Sequence, residues 1–194
     1  MWTFPSELVL LCAKLLWLAA PVMLAAAIHI VVIRWNFLSS LTMPLDFGRR
    51  FRGERLFGNN KTCRGAIVMI AGSSVGMALQ QVVRVRTLEL FDYGAVNAWL
   101  WGGLLGLGFI VAELPNSFLK RQCGVPPGQQ AIGTIYWLFT TLDQLDSVIG
   151  CLLALAIVWT PPWQVVVTAL LLCSLVHIAF NLVFVHLGLK RRAL

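Results

Sequence analysis

Five stretches of this chain are apolar over lengths that leave few choices of fold. They lie at roughly 8–33, 65–83, 95–112, 147–160 and 163–187. About 20 apolar residues cross a bilayer as a helix. Inside lipid every backbone N–H and C=O must be satisfied by the segment itself or by a closed barrel. The runs are continuous and show no two-residue alternation, so they read as helices. Composition agrees: 12% of the residues are charged and 59% apolar, against about 25% charged in soluble domains. The expected fold is an all-α integral membrane protein, a bundle of about five transmembrane helices forming a single domain over 1–194. Thr160-Pro161-Pro162 supplies the turn between the last two spans. The run AIGTIYWLFTTL, 131–142, is too short to cross and reads as a re-entrant or interfacial segment. A cleaved secretory signal is not expected. MWTFPSE lacks a basic start and carries Glu7, although LAAA at 24–27 superficially resembles a cleavage site.

The basic residues are unevenly shared between the two sides. Loop 34–64 holds Arg34, Arg49, Arg50, Arg52, Arg55, Lys61 and Arg64, seven of the fifteen. Lys120 and Arg121 fall in loop 113–146, and Lys190, Arg191 and Arg192 in the C-terminal tail. With five spans these segments share one side, which then carries twelve basic residues against three (Lys14, Arg84 and Arg86) on the other. Positive charge marks the cytoplasmic side. The N-terminus is therefore expected outside, and the motif loops and C-terminus inside, most naturally at the cell (inner) membrane. Five cysteines, at 12, 63, 123, 151 and 173, include no C-x-x-C pair, so neither a zinc site nor a disulfide framework is expected.

Four polar stretches stand out against this background. In LDFGRRFRGERLFGNNKTCRG, 45–65, glycines at 48, 53, 58 and 65 allow tight turns and close approach to a ligand. Its arginines suit bidentate phosphate contacts, with Lys61 as a point charge. A P-loop is rejected, because Lys61-Thr62 comes two residues late and no strand precedes it. The same loop would also serve to fix topology and touch anionic lipid heads. In AELPNSFLKRQCGVPPG, 112–128, Glu113 ends the third span, and Pro115 favours the first turn of a new helix from about 114. Ser117 and Lys120 then sit near one face, although Lys120 and Arg121 also suit snorkelling to lipid phosphates. In TTLDQLDSVIG, 140–150, Asp143 and Asp146 share a face at i, i+3 and repel unless something positive lies between them. Magnesium, bound through one or two carboxylates plus substrate phosphates, is one reason for such a pair; capping of a helix N-terminus is the other. His177 and Asn181 lie at i, i+4 in the last span. Their place is either a hydrogen-bonding contact between helices or a lipid phosphate. His29 and His186 read as structural.

Taken in order, PLDFGRRFRGERLFGNNKTCRG, SFLKR, LDQLD and His177-x3-Asn181 before LGLK resemble the CDP-archaeol synthase family, within the wider superfamily of phosphatidate cytidylyltransferases. The resemblance covers about 45–190. It implies a magnesium-dependent membrane enzyme that joins CTP to a lipid phosphate and releases pyrophosphate and a CDP-activated lipid for phospholipid synthesis. It implies catalytic roles for Lys61, Lys120, Asp143 and Asp146, with Asp143, Asp146 and Glu113 holding magnesium. Substrate contacts would come from Asp46, Arg49, Arg50, Asn60, Thr62, Arg64, Ser117, Arg121, His177 and Asn181. The sequence departs from the family pattern at Ala112-Glu113, where Gly-Asp is usual, and at Pro115-Asn116. CTP and a lipid phosphate are the expected partners; nucleic acid is not, and self-association is left open. Two rival readings remain: a CTP-dependent lipid or polyprenol kinase, which would release CDP, and a non-catalytic protein whose basic loops bind anionic lipid. A transporter fits less well, because the charges gather on one side and not at the midplane.

Overall fold

The computed structural model describes residues 4–188; Lys190, Arg191 and Arg192 of the tail lie outside the described residues. Five helices make up the bundle: α1 (Phe4–Arg34), α2 (Cys63–Val83), α3 (Ala98–Gln122), α4 (Tyr136–Val158) and α5 (Trp163–His186). Each is long and apolar enough to cross a membrane.

Two boundaries differ from the sequence reading. The segment near 131–142 is not a re-entrant element. After a 3-10 turn at Gly133–Ile135, it becomes the start of α4, which runs unbroken through Asp143 and Asp146 to Val158. Likewise no new helix begins near 114. Pro115 lies inside α3, which continues to Gln122. A proline in a helix interior removes one N–H and disturbs one turn, but the polar residues beyond it stay in the helical register of the span before it.

Small residues set the spacing of the bundle. On α2, Gly72 and Gly76 meet Ala25 and Pro21 of α1; a Cβ on either would come within 2.9 Å of α1 atoms. On α3, Gly102 and Gly106 face the backbone of α2 at Ser73 and Met69, where added Cβ atoms would lie 2.4 and 2.5 Å from carbonyl oxygens. Gly108 and Gly150 do the same between α3 and α4. Between lipid-embedded helices association rests on such close packing, because apolar burial brings little gain there. At the end opposite the motif loops, Phe91 and Tyr93 pack on Trp101 with ring centroids 5.0 and 4.9 Å apart, and Phe91 stacks on Trp159 at 5.4 Å.

The 35–62 connection is built around a short hairpin, β1 (Arg50–Phe51) with β2 (Glu54–Arg55), antiparallel. Arg52 and Gly53 at its tip have φ of 52° and 86°, the two positive values that a type I′ turn demands. Beneath it Asp46 is fully buried and gathers the loop. Its carboxylate accepts N–H bonds from Gly48 (3.0 Å), Phe57 (3.1 Å) and Gly58 (3.0 Å) and forms an ion pair with Arg55. Burial alone would push this carboxyl up; the Arg55 and backbone N–H bonds overcome it and hold it well below the usual carboxylate range.

Candidate active site

Around Pro115, α3 carries Glu113, Asn116, Ser117, Lys120 and Arg121, spaced i, i+3, i+4, i+7, i+8. That spacing puts all five on one helical face. They line a polar cleft of about 380 Å³ with Asn60 and Lys61 from the first loop, Asp143, Gln144 and Asp146 from α4, and His177 and Asn181 from α5. Gly128 and Gln129 of the α3–α4 connection lie at its rim. The first loop is locked to that connection where Gly58, at φ 85°, packs under Pro127; a Cβ there would lie 2.8 Å from the Pro127 ring.

Asp143 and Asp146 converge. Asn116 Nδ2 donates to Asp143 Oδ1 at 2.7 Å and to Asp146 Oδ2 at 2.9 Å, so one amide group spans both carboxylates. Asn116 Oδ1 is buried with no hydrogen-bond partner. Lys120 Nζ pairs with Asp143 and lies 5.8 Å from the centre of the Phe139 ring. Asp146 Oδ1 also accepts from its neighbour's backbone, Ser147 N, at 2.6 Å. The positive group that the spacing of these acids called for is therefore, in this arrangement, the Lys120 ammonium from α3, with the neutral Asn116 amide donating to both carboxylates.

Glu113 forms an ion pair with Lys61 and lies within electrostatic reach of Asp146. Burial works against the Lys61 charge, but the adjacent Glu113 carboxylate raises its pKa above the ordinary lysine value. Among the described residues no group of three or more His, Cys, Asp or Glu side chains is placed to hold a metal. Two converging carboxylates with a buried amide oxygen beside them nevertheless form an all-oxygen donor set, and magnesium is ordinarily held by one or two carboxylates plus phosphate oxygens. Asp143 and Asp146 thus fit the ion, which would take the place of Lys120 at Asp143; Glu113 is paired with Lys61 in this arrangement.

Arg121 is buried, and its Nε and Nη1 have no hydrogen-bond partner in the structure. A guanidinium so placed at the wall of a cleft is costly unless an anion meets it.

The remaining sequence candidates line neither the cleft nor the larger cavity beside it. Asp46 is spent on the loop. Arg49 and Arg50 are exposed, with Arg50 Nη1 donating to Gly53 O at 3.1 Å. Thr62 caps α2, accepting from Gly65 N at 3.2 Å. Arg64 Nη1 donates to Asn36 Oδ1 and Phe37 O, both at 3.2 Å. Asn116 and Gln144 were missed by sequence reasoning. The five-residue stripe on α3 was the available signal for Asn116, hidden by the assumption that Pro115 starts a new helix.

A second cavity, about 810 Å³, runs along the bundle between α1, α3, α4 and α5 and is lined mainly by aliphatic and aromatic side chains. It shares four residues with the polar cleft: Lys61, Glu113, His177 and Asn181. The two spaces therefore meet at a polar seam.

A family model described as CarS-like, CDP-archaeol synthase, matches residues 8–193. The CDP-archaeol synthase of Thermofilum pendens is 35% identical over 150 residues, covering 76% of this chain and 64% of that protein. The one from Methanocaldococcus jannaschii is 33% identical over 151 residues, 76% and 81% of the two chains. A CDP-archaeol synthase of Methanococcus maripaludis aligns over 95% of this chain and 98% of its own length at 26% identity. A solved structure, described as an intramembrane enzyme for archaeal membrane lipids biosynthesis, superimposes with a TM-score of 0.63 at 25% identity, covering 86% of this chain and 92% of that one.

Proposed function

The chain belongs to the CDP-archaeol synthase family, and from that premise we propose that it transfers CMP from CTP to the phosphate of a membrane lipid, releasing pyrophosphate and a CDP-activated lipid. One observation carries the reading: a polar cleft of nucleotide size and a long apolar cavity share the seam Lys61, Glu113, His177 and Asn181. A water-soluble triphosphate and a lipid headgroup need such a meeting place.

In the proposed reaction a lipid phosphate oxygen attacks the α-phosphorus of CTP. One P–O bond forms, the α–β P–O bond breaks, and the electron pair leaves with pyrophosphate. The attacking phosphate is already ionised, so no general base is required. Both reactants are anionic, and the chain's task is to orient them and offset their repulsion. Arg121, Lys120 and Lys61 are the cations that line the cleft, and Ser117 adds a hydroxyl. His177 and Asn181 border the lipid side. Magnesium, when bound, would be held by Asp143 and Asp146 and would supply charge neutralisation to the phosphates. The charge bias puts the cleft and motif loops in the cytoplasm, where CTP is available, with the N-terminus outside.

The test is direct. Purified protein is incubated with CTP, magnesium and a panel of ether- and ester-linked lipid phosphates, and products are identified by mass. Pyrophosphate with a CDP-lipid is expected. CDP with a lipid diphosphate would favour a kinase instead, and no product from any lipid phosphate would overturn the proposal.

A further inference from the structure

The face of α1 that lines the apolar cavity is a helical stripe: Ala19, Val22, Ala26, Ile30 and Ile33 recur along it. It carries only two polar side chains, His29 and Arg34, both in the last two turns of the helix. Across the cavity α5 behaves alike. Its lining is apolar at Ala169 and Val176, and its two polar residues, His177 and Asn181, are set among Phe180 and Phe184. His177 and Asn181 also line the polar cleft and so belong to the seam with Lys61 and Glu113, and His29 on α1 lies within electrostatic reach of the same Lys61 and Glu113.

His29 is held there by a specific accommodation. It is half-buried, and its Nε2 occupies space that a Cβ on Gly65 would approach within 2.9 Å. Gly65 is helical, in the first turn of α2, so backbone freedom does not explain a glycine at this position; the imidazole over it does. The ring lies in electrostatic reach of Glu113, Lys61 and Arg64. An imidazole at the point where an aliphatic groove becomes polar is well suited to donate to an anionic headgroup, and an exposed arginine at the mouth adds a long-range attraction.

We propose that His29, with Arg34 at the mouth, forms the α1 half of a lipid-phosphate site whose other half is on α5, so that the phosphomonoester is gripped between the first and last helices of the bundle. This assignment deepens the cytidylyltransferase reading and rests on it for its substrate. Neither residue belongs to the motif pieces that bind the nucleotide, so their effect should fall on one substrate alone.

Wild type, His29→Ala, His29→Gln, Arg34→Gln and Gly65→Ala are purified in detergent and checked for an unchanged melting temperature. Steady-state kinetics and native mass spectrometry with phosphatidate, diacylglycerol, and diacylglycerol plus inorganic phosphate are then compared. His29→Ala should raise the KM for lipid phosphate by about tenfold, the loss expected for one hydrogen bond to a charged group, and leave the KM for CTP nearly unchanged. His29→Gln should recover much of the loss, and Gly65→Ala should reproduce it by displacing the ring. Arg34→Gln, at an exposed position, gives the same direction with a smaller effect and does not depend on the tolerance of the interior. In the binding arm, wild type should retain phosphatidate over diacylglycerol, and His29→Ala should lose that preference. If wild type turns over and every variant keeps its lipid KM, the site is overturned while the enzyme reading stands. If wild type makes no CDP-lipid but holds phosphatidate through His29, the site stands and the enzyme reading falls. Displacement of phosphatidate by inorganic phosphate at equal concentration would also overturn it, by reducing the site to one for a free anion.

Discussion

Lys61, the last residue before the cap of α2, and Glu113, on the lining face of α3, form an ion pair at the boundary between the polar cleft and the apolar cavity. A double-mutant cycle with Lys61→Met and Glu113→Gln should return a coupling of about 1–2 kcal/mol in detergent unfolding. Lys61→Met should also weaken CTP binding. Additive effects in the cycle would show that the two side chains act separately.

Asn116 is expected to hold the two aspartates in register. Asn116→Ala should lower magnesium affinity or kcat by roughly 10–100-fold, the usual effect of removing a group that orients ligands. The melting temperature should barely change. Asp143→Asn and Asp146→Asn should each abolish most magnesium-dependent pyrophosphate release. Full turnover surviving in both would remove the metal role.

Gly150→Ala tests whether the glycine seam between α3 and α4 positions the acids. An added Cβ would lie 2.0 Å from Gly108 O, so the helices must separate, at a cost of about 1–3 kcal/mol. Asp143 and Asp146 would move with α4 away from Asn116 and Glu113 on α3. Stability and activity should fall together, and an unaffected rate would mean the site tolerates the shift.

The Asp46 carboxyl, held below the usual range by Arg55 and three backbone N–H groups, makes the first loop sensitive to acid. A group with a depressed folded pKa stabilises above its unfolded pKa, about 3.9, and that contribution disappears as pH falls through the folded value. Hydrogen exchange over 46–58, corrected for intrinsic rates, should remain slow at neutral pH and accelerate only under strongly acidic conditions. Asp46→Asn should accelerate it already at neutral pH, by about tenfold.

Cys123 follows the last residue of α3 and is exposed. A membrane-impermeant maleimide should label it in inside-out vesicles and not in intact cells or spheroplasts. The reverse pattern would invert the proposed orientation.

Much of this protein was legible before any coordinates. Apolar length alone gave five membrane helices, because lipid offers the backbone no other partner. The charge bias indicated that the polar loops share one side, and in the folded chain residues from the first loop and from α3 and α4 do line one cleft. Charge and spacing also singled out Lys61, Lys120, Asp143 and Asp146, because unpaired charges beside apolar runs are expensive wherever they occur. What the sequence could not decide was which of its polar residues the fold consumes internally. Asp46 and Thr62 looked like Lys61 in the same motif, yet one gathers a hairpin and the other caps a helix. Glu113 looked like a third acid for the metal but meets Lys61, and Asn116 looked like a departure but bridges the aspartates. His29 read as structural, and only the fold shows that it lines the apolar cavity and packs over Gly65. Each of these depends on contacts between segments far apart in the chain. Local spacing fixes which face of a helix a side chain occupies, but only the close approach permitted by glycines at 102, 106, 108 and 150 decides which other helix that face meets.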